Sequence, residues 1–261
     1  MFIRRMFMDK VTFSREGTIG FITIDSPPVN ALEKQVLDDL DKVLDDIPQD
    51  VDVIILTGAG GRAFVAGADI KDFPALTKET GMELVKKGQR IFQKLADLEQ
   101  PVIAAIDGFA LGGGLEVALA CDIRIASKRS QIGLPEVSLG IFPGYGGTQR
   151  LARLIGAGKA KQLIFSGEPV SAEEAWRIGI IEEVTEESPH ETARALAETI
   201  AKRGPLAVRK AKQAINEGLN VTVEEGIEIE AKLFGEICET EDKNEGVAAF
   251  FEKRKPNFKR K

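Results

Sequence analysis

Scarcity narrows the chemistry first. Among 261 residues there is one histidine and there are two cysteines. His190 alone builds no poly-histidine metal site, and Cys121 and Cys238 lack the spacing of a Cys-x-x-Cys pair. So little cysteine fits a reduced, cytosolic chain better than one stapled by disulfides. No apolar run has the quality of a signal peptide or membrane span. The most apolar stretch, residues 102–121, carries Asp107, Glu116 and four glycines, and reads as buried interior. The start has charge but no cleavage site, and Met8 is an alternative initiator that would leave residues 1–7 as a loosely held extension. There is no large excess of either charge: 35 Lys and Arg against 41 Asp and Glu give a net charge of −6. That exerts no strong pull on nucleic acid or an anionic membrane. What remains is chemistry resting on carboxylates, backbone amides or a bound cofactor.

What is present is ordinary globular material, 43% apolar and 29% charged, at a length that fits one large domain or a core with an appendage. Two β-rich runs, 11–16 and 18–25, flank Gly17 as a hairpin. Asn30 and Glu33 then form a capping-box pattern ahead of an apolar stripe from Leu32 to Ile47. Strands are expected at 51–57, 102–106, 123–126 and 132–134, with helices at 80–98 and 112–120 between them. From about Thr148 the texture becomes helical: 148–155, 159–166, a short helix capped at Ser171, then 189–202, 205–217, 222–239 and 242–253. The pattern is an α/β core over residues 1–200 followed by a helical region over 201–261. No repeat of solenoid period interrupts it.

Two glycine clusters invite different readings. Gly58-Ala59-Gly60-Gly61-Arg62-Ala63 follows a strand and formally matches a dinucleotide fingerprint. No helical stripe follows it, so it reads as a flexible surface loop, and no P-loop pattern occurs anywhere. Gly112-Gly113-Gly114 is more informative because an apolar helix follows at once. Glycine allows close approach, and the first helical turn has unpaired N–H groups suited to an oxygen bearing negative charge. Glu116 lies in that turn, either as a favourable dipole partner or as a buried functional acid. Glu136, in Leu134-Pro135-Glu136-Val137, reads alone as a solvated turn residue. Paired with Glu116 it would make two acids facing one water, of which one keeps its proton. Spacing alone does not decide between those readings.

Several ordered stretches resemble the enoyl-CoA hydratase family, the crotonase superfamily, from about Asp9 to Lys259. They are Ala63-Phe64-Val65-Ala66-Gly67-Ala68-Asp69-Ile70-Lys71, residues 101–125, Gly133-Leu134-Pro135-Glu136, Pro143-Gly144-Tyr145-Gly146-Gly147-Thr148-Gln149-Arg150 and residues 240–258. The resemblance implies a spiral of β–β–α turns, then helices that promote a homotrimer or a dimer of trimers. It implies an oxyanion hole from the N–H groups of Ala68 and Gly113, and a water held by Glu116 and Glu136. Ala66, Gly67, Asp69, Ile70 and Lys71 would line the coenzyme A path, and Phe234, Phe250 and Lys253 would hold its adenine end. No metal and no cofactor beyond the coenzyme A of the substrate is implied. The expected reaction is reversible syn hydration of trans-2-enoyl-CoA, in a cytoplasmic enzyme without nucleic-acid or membrane partners. Isomerisation or a specialised dehydration keeps the same site; an RNA-binding relative is disfavoured by the net charge of −6. Leu134 departs from hydratases with a polar residue there, which bears on rate and acyl-chain preference.

The remaining singled-out residues have bland expectations. His190 is expected to be exposed, Cys121 and Cys238 to pack in the core, and Trp176 to anchor a core or interface. Asp122 and Arg124 are expected to form a structural ion pair. Ile70, Phe73, Leu134, Ile141, Phe142 and Tyr145 are candidates for an acyl pocket and equally for core. The basic end is expected to be solvated except at Lys253.

Overall fold

The hairpin around Gly17 opens the architecture. A computed structural model describes residues 6–7, 9–71, 73–186 and 188–261. Strand β1 (Met6–Phe7) lies against β2 (Val11–Glu16), which pairs antiparallel with β3 (Ile19–Ile24) across Gly17 at φ +59°. Most of the expected extension, residues 1–5 and Met8, lies outside the described residues. Helix α1 (Lys34–Asp45) buries Val36, Leu37, Leu40, Val43 and Leu44, as its stripe predicts. Its start does not follow the capping pattern. Glu33 is the cap and makes no side-chain capping bond. Asn30 is held at φ +57°, accepts the Ser26 N–H and donates to the carbonyls of Ala59 and Ala63. Satisfying three buried backbone groups outweighs one cap at an exposed helix start.

A repeated step then builds the first of two compact units, Met1–Leu98 with Val102–Ala197. Strands β4 (Val53–Gly58) and β5 (Ala63–Val65) precede α2 (Lys78–Ala96). Strands β6 (Val102–Ile106) and β7 (Phe109–Leu111) precede α3 (Gly113–Leu119), and β8 (Ile123–Ser127) and β9 (Gln131–Gly133) precede α4 (Gly147–Ile155). The first strand of each step joins a large sheet, parallel from β3 through β4 and β6 to β8; the second joins a small sheet through β5, β7 and β9. Each β–β–α step thus advances both sheets by one strand, which is a spiral. Strands β4 and β6 are buried along their whole length, which explains their unbroken apolar runs. Helix α5 (Ala157–Ser166), β10 (Val170–Ser171), α6 (Ala172–Arg177) and β11 (Glu183–Thr185) follow; β11 closes the large sheet beside β8, and β10 closes the small sheet beside β9. Ser171 caps α6 by accepting the Glu174 N–H, as its motif predicts.

The short strands β5, β7, β10 and β11 escaped the sequence reading, because two or three residues carry no measurable alternation. Gly58–Gly61 is a turn with no helix after it, as expected, but Gly58 is not free surface. A Cβ there would strike the Phe64 carbonyl. Arg124 finds its carboxylate in Glu182 at 2.6 Å, and Asp122 accepts the Val102 N–H.

The second unit comprises Glu99–Pro101 with Glu198–Lys261. Helix α7 (Pro189–Ile200) runs up to it, and α8 (Pro205–Gly218), α9 (Val223–Cys238) and α10 (Glu241–Phe251) form it. Helices α8 and α9 pack with Gly218 and Gly226 facing each other closely. The basic end is not a loose tail. Buried Asp242 accepts the N–H groups of Lys259 and Arg260, and Glu245 holds Arg254 and the Asn257 N–H. Cys238 is exposed rather than packed, Trp176 is 58% exposed, and His190 is half-buried beside Thr57 rather than in solvent. Cys121 is buried, as expected. Among the described residues no helix is long and apolar enough to cross a membrane.

Candidate active site

Four loops of the spiral converge on α3. Its first turn holds Gly113 and Glu116, and every residue of the helix is buried. Gly112 precedes it at φ +54°, a conformation glycine adopts without strain. The segment after β5 reaches it through a single parallel bridge between Leu32 and Ala68. Leu32 takes its bonds from the residues flanking Ala68: its N–H donates to the Gly67 carbonyl at 2.9 Å, and its carbonyl accepts the Asp69 N–H at 3.4 Å. The Ala68 N–H therefore turns away from Leu32. It faces Gly113, whose Cβ position lies 3.6 Å from the Ala68 nitrogen. As a first-turn donor, the Gly113 N–H has no acceptor within its own helix. The two N–H groups expected to act together are brought together.

Glu116 is 2% exposed. Its Oε1 accepts the N–H groups of Tyr145 and Gly147, each at 2.7 Å. Glycine at 147 is a matter of room, since a Cβ there would lie 3.0 Å from that oxygen. Oε2 has no hydrogen-bond partner among the described residues. Glu136 enters from a short 3-10 turn, Glu136–Leu139, after β9. The solvated-turn reading is wrong for it: both carboxylate oxygens are buried and meet no partner among the described residues. Its Oε1 lies 3.0 Å from the Cβ position of Gly112.

Burial raises the proton affinity of both acids. Glu116 is pushed up to about 7, by burial first and also by the Glu136 charge, against the pull of its two N–H donors. The Glu136 charge thus adds to the proton affinity that burial gives Glu116. Unpartnered buried carboxylate oxygens mark a place for a ligand.

The other expected positions divide. Ala66, Gly67 and Asp69 lie in the segment tied to Val29 and Leu32, beside the Ala68 N–H. Ile70 and Lys71 follow it at the surface, with Lys71 paired to Asp69 at 3.3 Å. Phe234 and Phe250 are exposed on helices of the second unit, and Lys253 follows α10 at φ +55°. Of the acyl-pocket candidates, Leu134 and Tyr145 are buried, whereas Ile70, Ile141 and Phe142 are exposed. The Tyr145 ring packs edge-on to Phe92 and against Gly88. Sequence reasoning missed the N–H groups of Tyr145 and Gly147 as the holders of Glu116. Backbone donors leave no residue-type signal, although the glycine-rich turn around them is visible. Among the described residues no group of three or more His, Cys, Asp or Glu side chains is arranged to hold a metal ion.

Comparison with known proteins gives one consistent result. The family model described as enoyl-CoA hydratase/isomerase matches residues 14–261. The chain is 46% identical over 254 residues to the short-chain-enoyl-CoA hydratase of Clostridium acetobutylicum, covering 96% of this chain and 97% of that protein. It is 42% identical over 259 residues to the crotonyl-CoA hydratase of Syntrophomonas wolfei, covering 97% and 99%. The structure of an enoyl-CoA hydratase from Bacillus anthracis matches with a TM-score of 0.90 at 40% identity over 99% of both chains. One from Geobacillus kaustophilus matches with a TM-score of 0.96 at 33% identity over 100% of both. With the spiral and these matches in agreement, the chain belongs to the enoyl-CoA hydratase/isomerase family, within the crotonase superfamily.

Proposed function

We propose that this enzyme adds water reversibly, in syn geometry, across the double bond of trans-2-enoyl-CoA thioesters to give 3-hydroxyacyl-CoA. The observation that supports this reading is the burial of both acids, with the Glu136 charge felt at Glu116 and both Glu136 oxygens left without a partner among the described residues. The N–H groups of Ala68 and Gly113 receive the thioester oxygen and favour enolate character as water adds. One such donor is worth roughly 3 kcal/mol in other enzymes. The ionised glutamate takes a proton from water as its oxygen bonds to C3. The protonated one delivers its proton to C2, so the elements of water end on the two carbons and the pair ends with its roles exchanged. Each acid–base function contributes about 10²–10⁴-fold. The coenzyme A portion adds remote binding energy that positions the reacting carbons, and the thioester supplies the activation, so the reading calls for no separate cofactor.

Ala66, Gly67, Asp69, Ile70 and Lys71 line the coenzyme A path in this proposal. The exposed Phe234, Phe250 and Lys253 hold its adenine end within a trimer or dimer of trimers, built through the helices of residues 201–261. Residues 1–200 carry the chemistry. A cytoplasmic setting suits the sparse cysteine. The test is turnover of crotonyl-CoA, followed by loss of the conjugated thioester absorbance with the product identified. Formation of 3-hydroxybutyryl-CoA supports the reading. No turnover of short enoyl-CoA substrates, or an isomer with no added oxygen, overturns it.

A further inference from the structure

Glu116 is held by a turn, and the turn is held by a cation. Arg150, at the end of the first turn of α4, sends Nη1 back to the Tyr145 carbonyl at 3.2 Å and Nη2 to Gln93 Oε1 on α2 at 2.9 Å. Its own N–H bonds the Gly146 carbonyl at 2.8 Å. Gly146 sits at φ +111°, and a Cβ there would strike Arg150 Nη1, so the guanidinium lies directly across the turn. Gln89 of α2 adds a bond to the Gly144 carbonyl at 2.8 Å. Of the two peptide units whose N–H groups meet Glu116 Oε1, Gly144–Tyr145 is held by Gln89 and Gly146–Gly147 by the Arg150 N–H, and the guanidinium holds the Tyr145–Gly146 unit that joins them.

We propose that Arg150 is a positioning residue for Glu116: its guanidinium ties the peptide unit that joins the two N–H donors, through the Tyr145 carbonyl, to Gln93 of α2, and sets a permanent positive charge behind the carboxylate. This rests on the acid–base reading of Glu116. The charged and titratable groups around Glu116 are Glu136 from the turn after β9, Tyr145 from the clamped turn and Arg150 from α4. Around Arg150 they are Glu116, Asp97 at the end of α2 and Cys121 at the end of α3. Arg150 favours the ionised form of Glu116, while Glu136 opposes it. Guanidinium keeps its charge throughout the working range.

The experiment compares Arg150→Gln, Arg150→Lys, Gln93→Met and Glu116→Gln in crotonyl-CoA hydration across pH. Without the cation the acid pair holds its proton more tightly. In Arg150→Gln both limbs of the kcat profile should therefore move to higher pH, by roughly half a unit or more. Its kcat should fall roughly ten- to a hundredfold with KM near wild type, the signature of a misplaced group rather than lost substrate binding. Arg150→Lys should restore the limbs but only part of kcat, because lysine lacks the planar fork that spans two acceptors. Gln93→Met, a surface change that keeps the charge, should lower kcat with the limbs in place. A normal profile in Arg150→Gln, whatever its kcat, overturns the electrostatic part, and unchanged kcat in Gln93→Met overturns the clamp. Should Arg150→Gln not fold, the lysine and Gln93 variants still decide. Full activity in Glu116→Gln sinks the acid–base reading itself, whereas an inactive Glu116→Gln beside an unaltered Arg150→Gln sinks this proposal alone.

Discussion

Replacing Glu116 with glutamine should make the protein a worse catalyst and a more stable fold. Two N–H donors point at Oε1, so the amide settles with its carbonyl towards Tyr145 and Gly147 and its NH2 in the place of Oε2. The shape and both hydrogen bonds survive, and proton transfer does not. In the folded chain the Glu116 pKa rises from 4.5 to about 7. A rise of that size corresponds to about 3 kcal/mol against ionisation of the native state, to order of magnitude. The sign follows from proton counting. Between pH 4.5 and 7 the folded state holds the proton more firmly than the unfolded chain, so native stability falls as pH rises through that window and levels off above it. The glutamine variant lacks this slope. Denaturation in urea at equal protein concentration, at pH 4 and pH 8, should show the variant level with wild type at the lower pH. At the higher pH it should be more stable by up to about 3 kcal/mol. Crotonyl-CoA hydration by the same sample should fall at least about a hundredfold. A variant that tracks the wild-type pH slope would refute the burial argument. Its retention of full turnover would refute the catalytic one.

Two further changes probe what holds the site and the chain's end. Asn30→Ala leaves the Ser26 N–H and the carbonyls of Ala59 and Ala63 without their side-chain partner and puts alanine at φ +57°. It should lower stability by about 2–4 kcal/mol, read as a drop in the urea midpoint. Asp242→Ala releases the N–H groups of Lys259 and Arg260. Hydrogen exchange at those two amides should rise sharply while the amides of β4 and β6 stay protected; equal protection in both proteins would contradict the strapped end.

The long elements were legible because burial imposes a period on them. The stripe of α1, the unbroken runs of β4 and β6 and the Ser171 cap are all written in residue type. The small sheet was largely illegible: β5 and β7 are three residues each, and their register comes from the spiral rather than from local preference. Asn30 shows the same limit from another side, since a capping pattern is outbid by buried carbonyls that only tertiary structure brings near. At the site, Glu116 and the glycines of its turn could be singled out. Glu136 could not be told from a solvated glutamate, because its burial depends on the Gly112 turn lying over it. Arg150 was visible as the end of a family-like stretch, but nothing in residue type tied it to Glu116.

The central claim is that Glu116 and Glu136 work as one unit on one molecule of water. Its most direct test is kcat/KM for crotonyl-CoA hydration in Glu116→Gln, Glu136→Gln and the double variant. If the acids form one device, each single change removes most of the rate and the double variant falls little further. Losses that multiply, or either single variant turning over like wild type, would contradict the account.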